Sequence, residues 1–204
     1  LKYKIFSMLR RNHHAQKKST LSCWRTGFSR CYCSESSRCL QFLIRMNIRI
    51  IAVGKIKEKY LTQAIQEYTK RLSAYCRLEI IEVKDEKIPE NASEAQRRKA
   101  VEIEGGRILS YLKDEEILAT LEIQGDQLDS PAFAKKIENF GIQGKSQITF
   151  IIGGSIGISP GISNRSKWKI SFSEMTFPHQ LFRVMLLEQI YRSFKIIRGE
   201  TYHK

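Results

Sequence analysis

The sequence has 204 residues and a formal net charge of +14 at pH 7, with 35 lysines and arginines against 21 aspartates and glutamates. Residues 1–45 contain ten basic residues and one acid, so residues 46–204 are only mildly basic. This balance favours a negatively charged partner but argues against a protein that binds by charge alone. No stretch reaches the ~18 uncharged apolar residues of a membrane span, so we expect a cytoplasmic protein.

Residues 1–45 differ in composition from the rest of the chain. They are rich in arginine and serine, hold four of the five cysteines and show no sustained apolar period. This composition is typical of an organellar transit peptide, but we favour translated upstream sequence ahead of a start at Met46 because a strand pattern follows that residue directly. We therefore divide the chain into a basic extension, 1–45, that is disordered or not native, and one domain, 46–204.

A metal site is not expected. Cys31, Cys33 and Cys39 lie in the extension, and their spacing is not that of a zinc knuckle. The domain itself contains one cysteine, Cys76.

Strand and helix patterns alternate from Met46 onward. The predicted strands are residues 48–53, 78–83, 117–123, 147–152 and 168–172. Five helices are predicted between and after these strands. The first has an apolar face of Leu61, Ala64, Ile65, Tyr68 and Leu72. The second is capped by Ser93 and Gln96 and runs to about Leu112, and the third is capped by Ser130 and ends before Gly141. A short helix at 160–166 and a last helix that begins near Pro178 follow. Repeated strand–helix units of this length predict an α/β fold with a mainly parallel sheet and helices on both faces.

A glycine-rich loop, residues 153–157, follows the fourth strand at the edge where open α/β sheets bind ligands. Glycines let a ligand approach the backbone and leave N–H groups free to face it. The loop has neither the spacing nor the position of a dinucleotide-binding fingerprint, which argues against a nicotinamide oxidoreductase. A tight strand-to-helix turn is the alternative interpretation.

The segment from Phe172 to His179 joins the last strand to the last helix. Met175 and Phe177 are of the kind that hold a flat ring and a thioether, although both could be ordinary core residues. His179 lies near the helix start, where a neutral imidazole can bond an unpaired N–H or face a ligand.

The last helix has a wide apolar surface. Its residues are Val184, Leu186, Leu187, Ile190, Tyr191, Phe194 and Ile197. We expect this width to bury the helix against a second copy of the chain.

Arginines and lysines line another sector of that helix. Arg183 and Arg192 could contact phosphates, or Arg192 could pair with Glu188 one helical step away. The closing Tyr202, His203 and Lys204 would usually be a frayed end. Together they nevertheless offer base stacking, proton transfer and phosphate binding.

Several of these segments occur together and in order in a known family. They are Ala52-Val-Gly-Lys55, Thr120-Leu-Glu-Ile-Gln-Gly125, Phe150-Ile-Ile-Gly-Gly-Ser155, Phe172 to His179, Glu188-Gln-Ile-Tyr-Arg192 and the closing Tyr-His-Lys. In these, residues 46–204 resemble the ribosomal RNA large subunit methyltransferase H family, the pseudouridine N3-methyltransferases of the SPOUT superfamily.

The resemblance implies a cofactor, a substrate and an assembly. It implies a trefoil knot in the C-terminal half, whereas the general rule for protein chains predicts none, and an obligate homodimer. It also implies methylation of N3 of a pseudouridine in 23S rRNA of the assembled 70S ribosome. The implied S-adenosylmethionine site consists of Leu121, Gly153, Phe172, Ser173, Glu174, Met175, Thr176 and Phe177.

The remaining predicted roles concern the RNA. We place His203 as the base near the target nucleotide, with Tyr202 stacking on it and Arg183 on a phosphate. Arg192, Lys204 and His179 are assigned to RNA binding. An RNA-binding protein of the same fold without catalysis is the alternative hypothesis.

Overall fold

The computed structural model describes residues 46–202. The extension predicted for residues 1–45, and the roles predicted for His203 and Lys204, lie outside the described residues. Strands and helices alternate as β1 (Asn47–Val53), α1 (Lys59–Leu72), β2 (Arg77–Val83), α2 (Glu94–Leu109), β3 (Ile117–Gln127), α3 (Ser130–Ile142), β4 (Gln147–Ile152), α4 (Pro160–Arg165), β5 (Trp168–Ser171) and α5 (His179–Ile197).

The strands form one sheet in the order β2-β1-β4-β3-β5, and every neighbouring pair is parallel. Ile51 of β1 lies opposite Ile81 of β2 and Ile151 of β4. β1 and β4 occupy interior positions and are almost wholly apolar, as strands covered on both faces must be. All five carboxyl ends therefore meet at one edge of the sheet.

Helices cover both faces of this sheet. On one face, α1, α3 and α5 supply Leu72, Ile137 and Leu186 to a core that includes Ile50. On the other, α2 and α4 pack around Ile51. Successive strand residues point to opposite faces, and burying each such side chain contributes about 1.5–3 kcal/mol. The predicted parallel sheet between two layers of helices is confirmed.

The ends of two helices differ from the prediction. The capping box of Ser93 and Gln96 is present, but α2 ends at Leu109 rather than near Leu112. The N-cap of α3 is Asp129, whose carboxylate accepts from the N–H of Ala132 at 2.7 Å. Ser130 was the wrong cap because its hydroxyl bonds Gln189 of α5 at 2.9 Å instead.

The end of α3 also differs. Gly141 is helical and buried in the last turn rather than beyond it. Gly144 has the positive φ, +76°, that reverses the chain after the helix. Glycine takes this left-handed conformation without the steric cost that a side chain adds.

The wide apolar face of α5 is used within the chain. Leu186, Leu187 and Ile190 are fully buried in the core beneath α5. This helix packs against both α1 and α3, so its apolar sector must span two neighbours as well as the sheet. The width of this apolar face therefore does not indicate a second copy of the chain. Leu187, which the sequence had placed on such an interface, is instead buried inside the monomer.

β3 is longer than predicted and irregular at its end. It pairs with β5 in two sections, with a shift of register between Leu121 and Asp126. At Gly125 the two backbones run so close that a β-carbon would lie 2.6 Å from the carbonyl carbon of Ile170. The residues between the sections bulge at the carboxyl edge of the sheet, where they help to form a cleft.

Candidate active site

A cleft of about 880 Å³ opens at the carboxyl edge of three adjacent strands, β4, β3 and β5. Its volume lies within the ~300–1,000 Å³ of small-molecule sites. Its walls come from Leu121–Gln124 in the irregular part of β3, from Ile152–Ile158 at and after the end of β4, and from Ser171–Ser173, Met175–Phe177, His179 and Phe182 between the end of β5 and the start of α5. Open parallel sheets bind ligands at this edge.

The glycine-rich loop forms one wall and makes a tight turn. The N–H of Gly157 donates to the carbonyl of Gly154 at 3.1 Å, and Gly157 has a φ of +94°. A β-carbon on Gly153 would lie 2.5 Å from the carbonyl oxygen of Gly157. The ligand-binding and tight-turn interpretations are thus compatible, because the turn itself shapes the wall.

The residues predicted for the cofactor lie together. Leu121, Gly153, Phe172, Ser173, Met175, Thr176 and Phe177 all line the cleft. Glu174 is exposed and is not among the lining residues. Met175 is 72% exposed, so it is not a core residue. The ring of Phe172 stacks on Phe182 of α5 at a centroid distance of 5.1 Å, which fixes an aromatic wall.

His179 lines the same cleft, at the first position of α5. Burial lowers the pKa of this imidazole, and the positive charge of Arg183 one turn later lowers it further. Its neutral form is therefore favoured at neutral pH. The structure places this residue beside the predicted cofactor site.

Arg183 does not lie where a phosphate contact needs it. Its side chain is 2% exposed. Nη1 donates to Glu82 Oε1 at 2.7 Å, and Nη2 donates to the carbonyls of Val53, at 3.1 Å, and Gly54. Burial lowers the pKa of this guanidinium, and the carboxylate of Glu82 opposes that shift. This placement disagrees with the predicted contact to RNA, because the donors face protein oxygens inside the fold.

Arg192 and Tyr202 meet farther along α5. Arg192 pairs with Glu188 at 2.6 Å, as the pattern had suggested, and lies 4.8 Å from the ring centre of Tyr202. The hydroxyl of Tyr202 donates to the same Glu188 carboxylate at 3.2 Å, and its ring meets Tyr191 edge-on at 5.0 Å. Tyr202 is therefore packed rather than frayed. Burial first, then the charge of Glu188, raise its pKa to about 12, so the phenol stays protonated.

The end of the chain, residues 202–204 (the tail), begins at Tyr202, which lies away from the cleft. Tyr202 is anchored at Glu188 and is not among the cleft-lining residues. Glu188 and His179 are nine residues apart in α5, or about 13 Å along the helix axis. The described chain does not bring Tyr202 to the cleft.

Two carboxylates at the site escaped the sequence analysis. Glu122 lines the cleft, and its oxygens accept from Thr120, at 2.6 Å, and Ser163, at 3.0 Å. It lies inside the Thr-Leu-Glu-Ile-Gln-Gly segment, and membership of that segment could have identified it as a site residue from the sequence. Its hydrogen bonds tie the end of β3 to α4.

Glu104 of α2 lies beneath the glycine loop. It is 4% exposed, and Oε1 accepts from the N–H of Glu86 at 2.9 Å. A β-carbon on Gly154 would lie 2.8 Å from Oε2. Burial raises the pKa of this carboxyl. Nothing in the helical pattern of α2 distinguishes this glutamate from its exposed neighbours.

Two features are absent from residues 46–202. Within that range no group of three histidines, cysteines, aspartates or glutamates could hold a metal ion. None of the helices in the same range is long and apolar enough to cross a membrane.

The sequence matches the model of a protein family described as "Predicted SPOUT methyltransferase" over residues 46–203. It is 58% identical to the ribosomal RNA large subunit methyltransferase H of Clostridium kluyveri over 159 residues, which are 78% of this chain and 100% of that protein. The ribosomal RNA large subunit methyltransferase H 1 of Clostridium perfringens is 57% identical with the same coverage. These similarities include all the segments that form the cleft.

Proposed function

The chain belongs to the SPOUT methyltransferase family, and within it to the ribosomal RNA large subunit methyltransferase H family; we propose that it methylates N3 of a pseudouridine in 23S rRNA on the assembled ribosome. The observation that carries this proposal is the cleft. Segments separated by some fifty positions, from Leu121 to Phe177, converge on it at the edge of the sheet where ligands bind.

The cleft suits S-adenosylmethionine, which would supply an activated methyl group. Leu121, Ile158 and Phe172 give apolar walls for a flat ring and a thioether. The loop at Gly153 presents backbone rather than side chains, and its close approach to Gly157 leaves no room for a β-carbon. Backbone N–H and carbonyl groups in such a loop can select polar ligand atoms.

The remaining task of the chain is to position the base and receive its proton. Holding the reacting nitrogen in line with the methyl group removes much of the entropic cost of the reaction. We propose that His203 accepts the proton from N3, because the phenol of Tyr202 stays protonated and is not available as a base. Lys204 would bind a phosphate, and Tyr202 with Arg192 would support the tail from α5.

We further propose that the working form is a homodimer. In one chain Tyr202 is anchored to Glu188, away from the cleft. A second copy would place its own residues 202–204 beside that cleft and so bring the proposed cofactor site and the proposed base together. The support is this separation together with the family resemblance, since the apolar face of α5 is already covered.

The trefoil knot belongs to the same proposal. It is supported by family membership. An activity on ribosomes also supports the expected cytoplasmic location.

The function is tested with ribosomes from cells that lack the gene. We expect mass mapping of their 23S rRNA to reveal one pseudouridine without its methyl group, and purified protein with S-adenosylmethionine to restore it. Calorimetric titration with S-adenosylmethionine separates the alternatives, because an RNA-binding protein without catalysis needs no such cofactor. Absence of both binding and methyl transfer would overturn the proposal.

A further inference from the structure

The loop between β1 and α1 lies at the same edge of the sheet as the cleft. It begins at Gly54 and ends at the first residue of α1, Lys59. β1 is the direct neighbour of β4, whose following loop forms a wall of the cleft. A molecule larger than the cleft would therefore extend over this loop.

The start of the loop is pinned by Arg183 of α5. Its guanidinium donates to the carbonyls of Val53, at 3.1 Å, and Gly54. Glu82 of β2 holds the same guanidinium at 2.7 Å. These bonds cross between three elements, so the buried arginine fixes where the loop leaves the sheet.

The middle of the loop is held by its own N–H groups. Ile56 donates to Glu82 at 3.2 Å, and Lys57 donates to Gln180 at 2.9 Å. Gln180 directly follows His179, a lining residue of the cleft. The loop backbone is thus fixed relative to the entrance of the cleft, which reduces the entropy lost when a ligand binds.

Its side chains, in contrast, are free to bind. Lys55, Lys57 and Lys59 are exposed and form no ion pair in the part of the chain that the structure describes. The acid among them, Glu58, is also exposed. Tyr60 follows, 65% exposed. Several arginines elsewhere are paired with carboxylates, among them Arg49, Arg71, Arg98 and Arg165.

We propose that this loop, together with Tyr60 that follows it, is a binding surface for the RNA backbone next to the modified nucleotide. The identity of the ligand as RNA rests on the proposed function. Lys55 and Lys57 are two residues apart, which allows a separation of up to about 7 Å along the backbone and suits successive phosphates of one strand. An exposed tyrosine beside cations can stack on an unpaired base. Arg183 is then a positioning residue for RNA binding, although it touches no RNA.

The test replaces Lys55, Lys57 and Lys59 together with glutamine. The matched control replaces Lys70, Lys113 and Lys145, which are equally exposed and lie at the opposite edge of the sheet, where strands begin. Both triple variants lose the same charge. For each we measure methyl transfer to 70S ribosomes, affinity for S-adenosylmethionine, and the salt dependence of binding to 23S rRNA extracted from the same ribosomes.

We expect the loop variant to raise KM for ribosomes by at least about tenfold, with kcat and cofactor affinity nearly unchanged. The slope of log affinity against log salt should become shallower by roughly one for each lost phosphate contact. The control should match the wild type. Equal behaviour of the two variants, either both impaired or both normal, would overturn the inference. If the wild-type protein transfers no methyl group, the proposed function is overturned instead. The salt dependence of RNA binding would then still decide the role of the loop.

Discussion

A β-carbon on Gly153 would lie 2.5 Å from the carbonyl oxygen of Gly157. The loop of the cleft therefore closes on itself, and the glycine is required by the loop's own backbone. The sequence had offered two reasons for the glycines, the approach of a ligand and a tight turn. The structure shows the turn.

Gly153→Val should abolish S-adenosylmethionine binding while the sheet remains folded. The branched side chain meets backbone that cannot move without opening the turn at Gly154–Gly157, and such overpacking costs about 1–3 kcal/mol. Calorimetry should show at least about a tenfold loss of affinity, with the circular dichroism spectrum unchanged. Gly161→Ala is the control, because a β-carbon there meets no atom within 4 Å. Normal affinity in folded Gly153→Val would contradict the assignment of the loop.

His179 should make stability and cofactor binding depend on pH. Its pKa is lowered in the fold by burial and by Arg183, so the unfolded chain binds more protons once the pH falls below the ordinary histidine pKa of about 6.5. The free energy of unfolding should therefore decrease as the pH falls through that value toward the lowered pKa. Imidazolium would also repel the sulfonium cation in the cleft. Urea titrations and calorimetry at several pH values should show both trends, and His179→Asn should flatten them; equal pH dependence in that variant would refute this account.

Deleting residues 202–204 should reduce both stability and activity. Tyr202 packs against Tyr191 and bonds Glu188, and an aromatic pair contributes about 0.5–1.5 kcal/mol beyond its burial. We expect the melting temperature to fall by a few degrees, about 2–4 °C per kcal/mol for a domain of this size. A frayed end would leave stability unchanged, so the packing of Tyr202 is the reason for this expectation. Tyr202→Phe keeps the ring and should melt closer to the wild type.

Methyl transfer to ribosomes should fall by orders of magnitude in that deletion. His203→Ala alone should have a smaller effect, at most the roughly 10²- to 10⁴-fold contribution of one proton transfer, because positioning is retained. Full activity in the deletion variant would show that the tail has no part in the reaction.

The wild-type protein should sediment as a dimer at micromolar concentration, with twice the 23.7 kDa of one chain. Leu187→Asp should unfold the chain rather than separate two subunits. Leu187 is fully buried inside the monomer, and an unpaired buried charge costs several kcal/mol of the roughly 5–15 kcal/mol that stabilises a domain. A wild-type monomer in the ultracentrifuge, or a folded Leu187→Asp variant, would contradict these expectations.

A version of the chain that begins at Met46 should fold and methylate ribosomes like the full chain. Residues 46–202 cover both faces of the sheet with their own helices, and Met46 is itself fully buried in the core. Thermal melting and methyl transfer compare the two versions. A large loss in either measurement would show that residues 1–45 contribute to the folded protein or to its activity.

The sequence alone determined the α/β architecture and most of the residues that line the cleft. Apolar runs such as residues 147–152 and the capping box at Ser93 are local patterns, and backbone geometry translates them directly into strands and helix starts. In a parallel sheet the carboxyl ends share one edge, so the segments that begin at Leu121, Ile152 and Ser171 had to meet there. The segments that carry the family resemblance lie in those same loops.

Only the tertiary structure decided which polar groups from distant parts of the chain become partners. Arg183 and Glu82 are separated by 101 positions, yet they bond at 2.7 Å and turn an expected phosphate contact into a buried support. Likewise, Tyr202 forms a hydrogen bond with Glu188, and Ser130 forms one with Gln189 instead of capping its own helix. A charged or hydroxyl side chain has similar local preferences whether it faces solvent, ligand or protein. Its role is fixed by which groups the fold brings within hydrogen-bond distance, because a buried donor or acceptor left without a partner is costly.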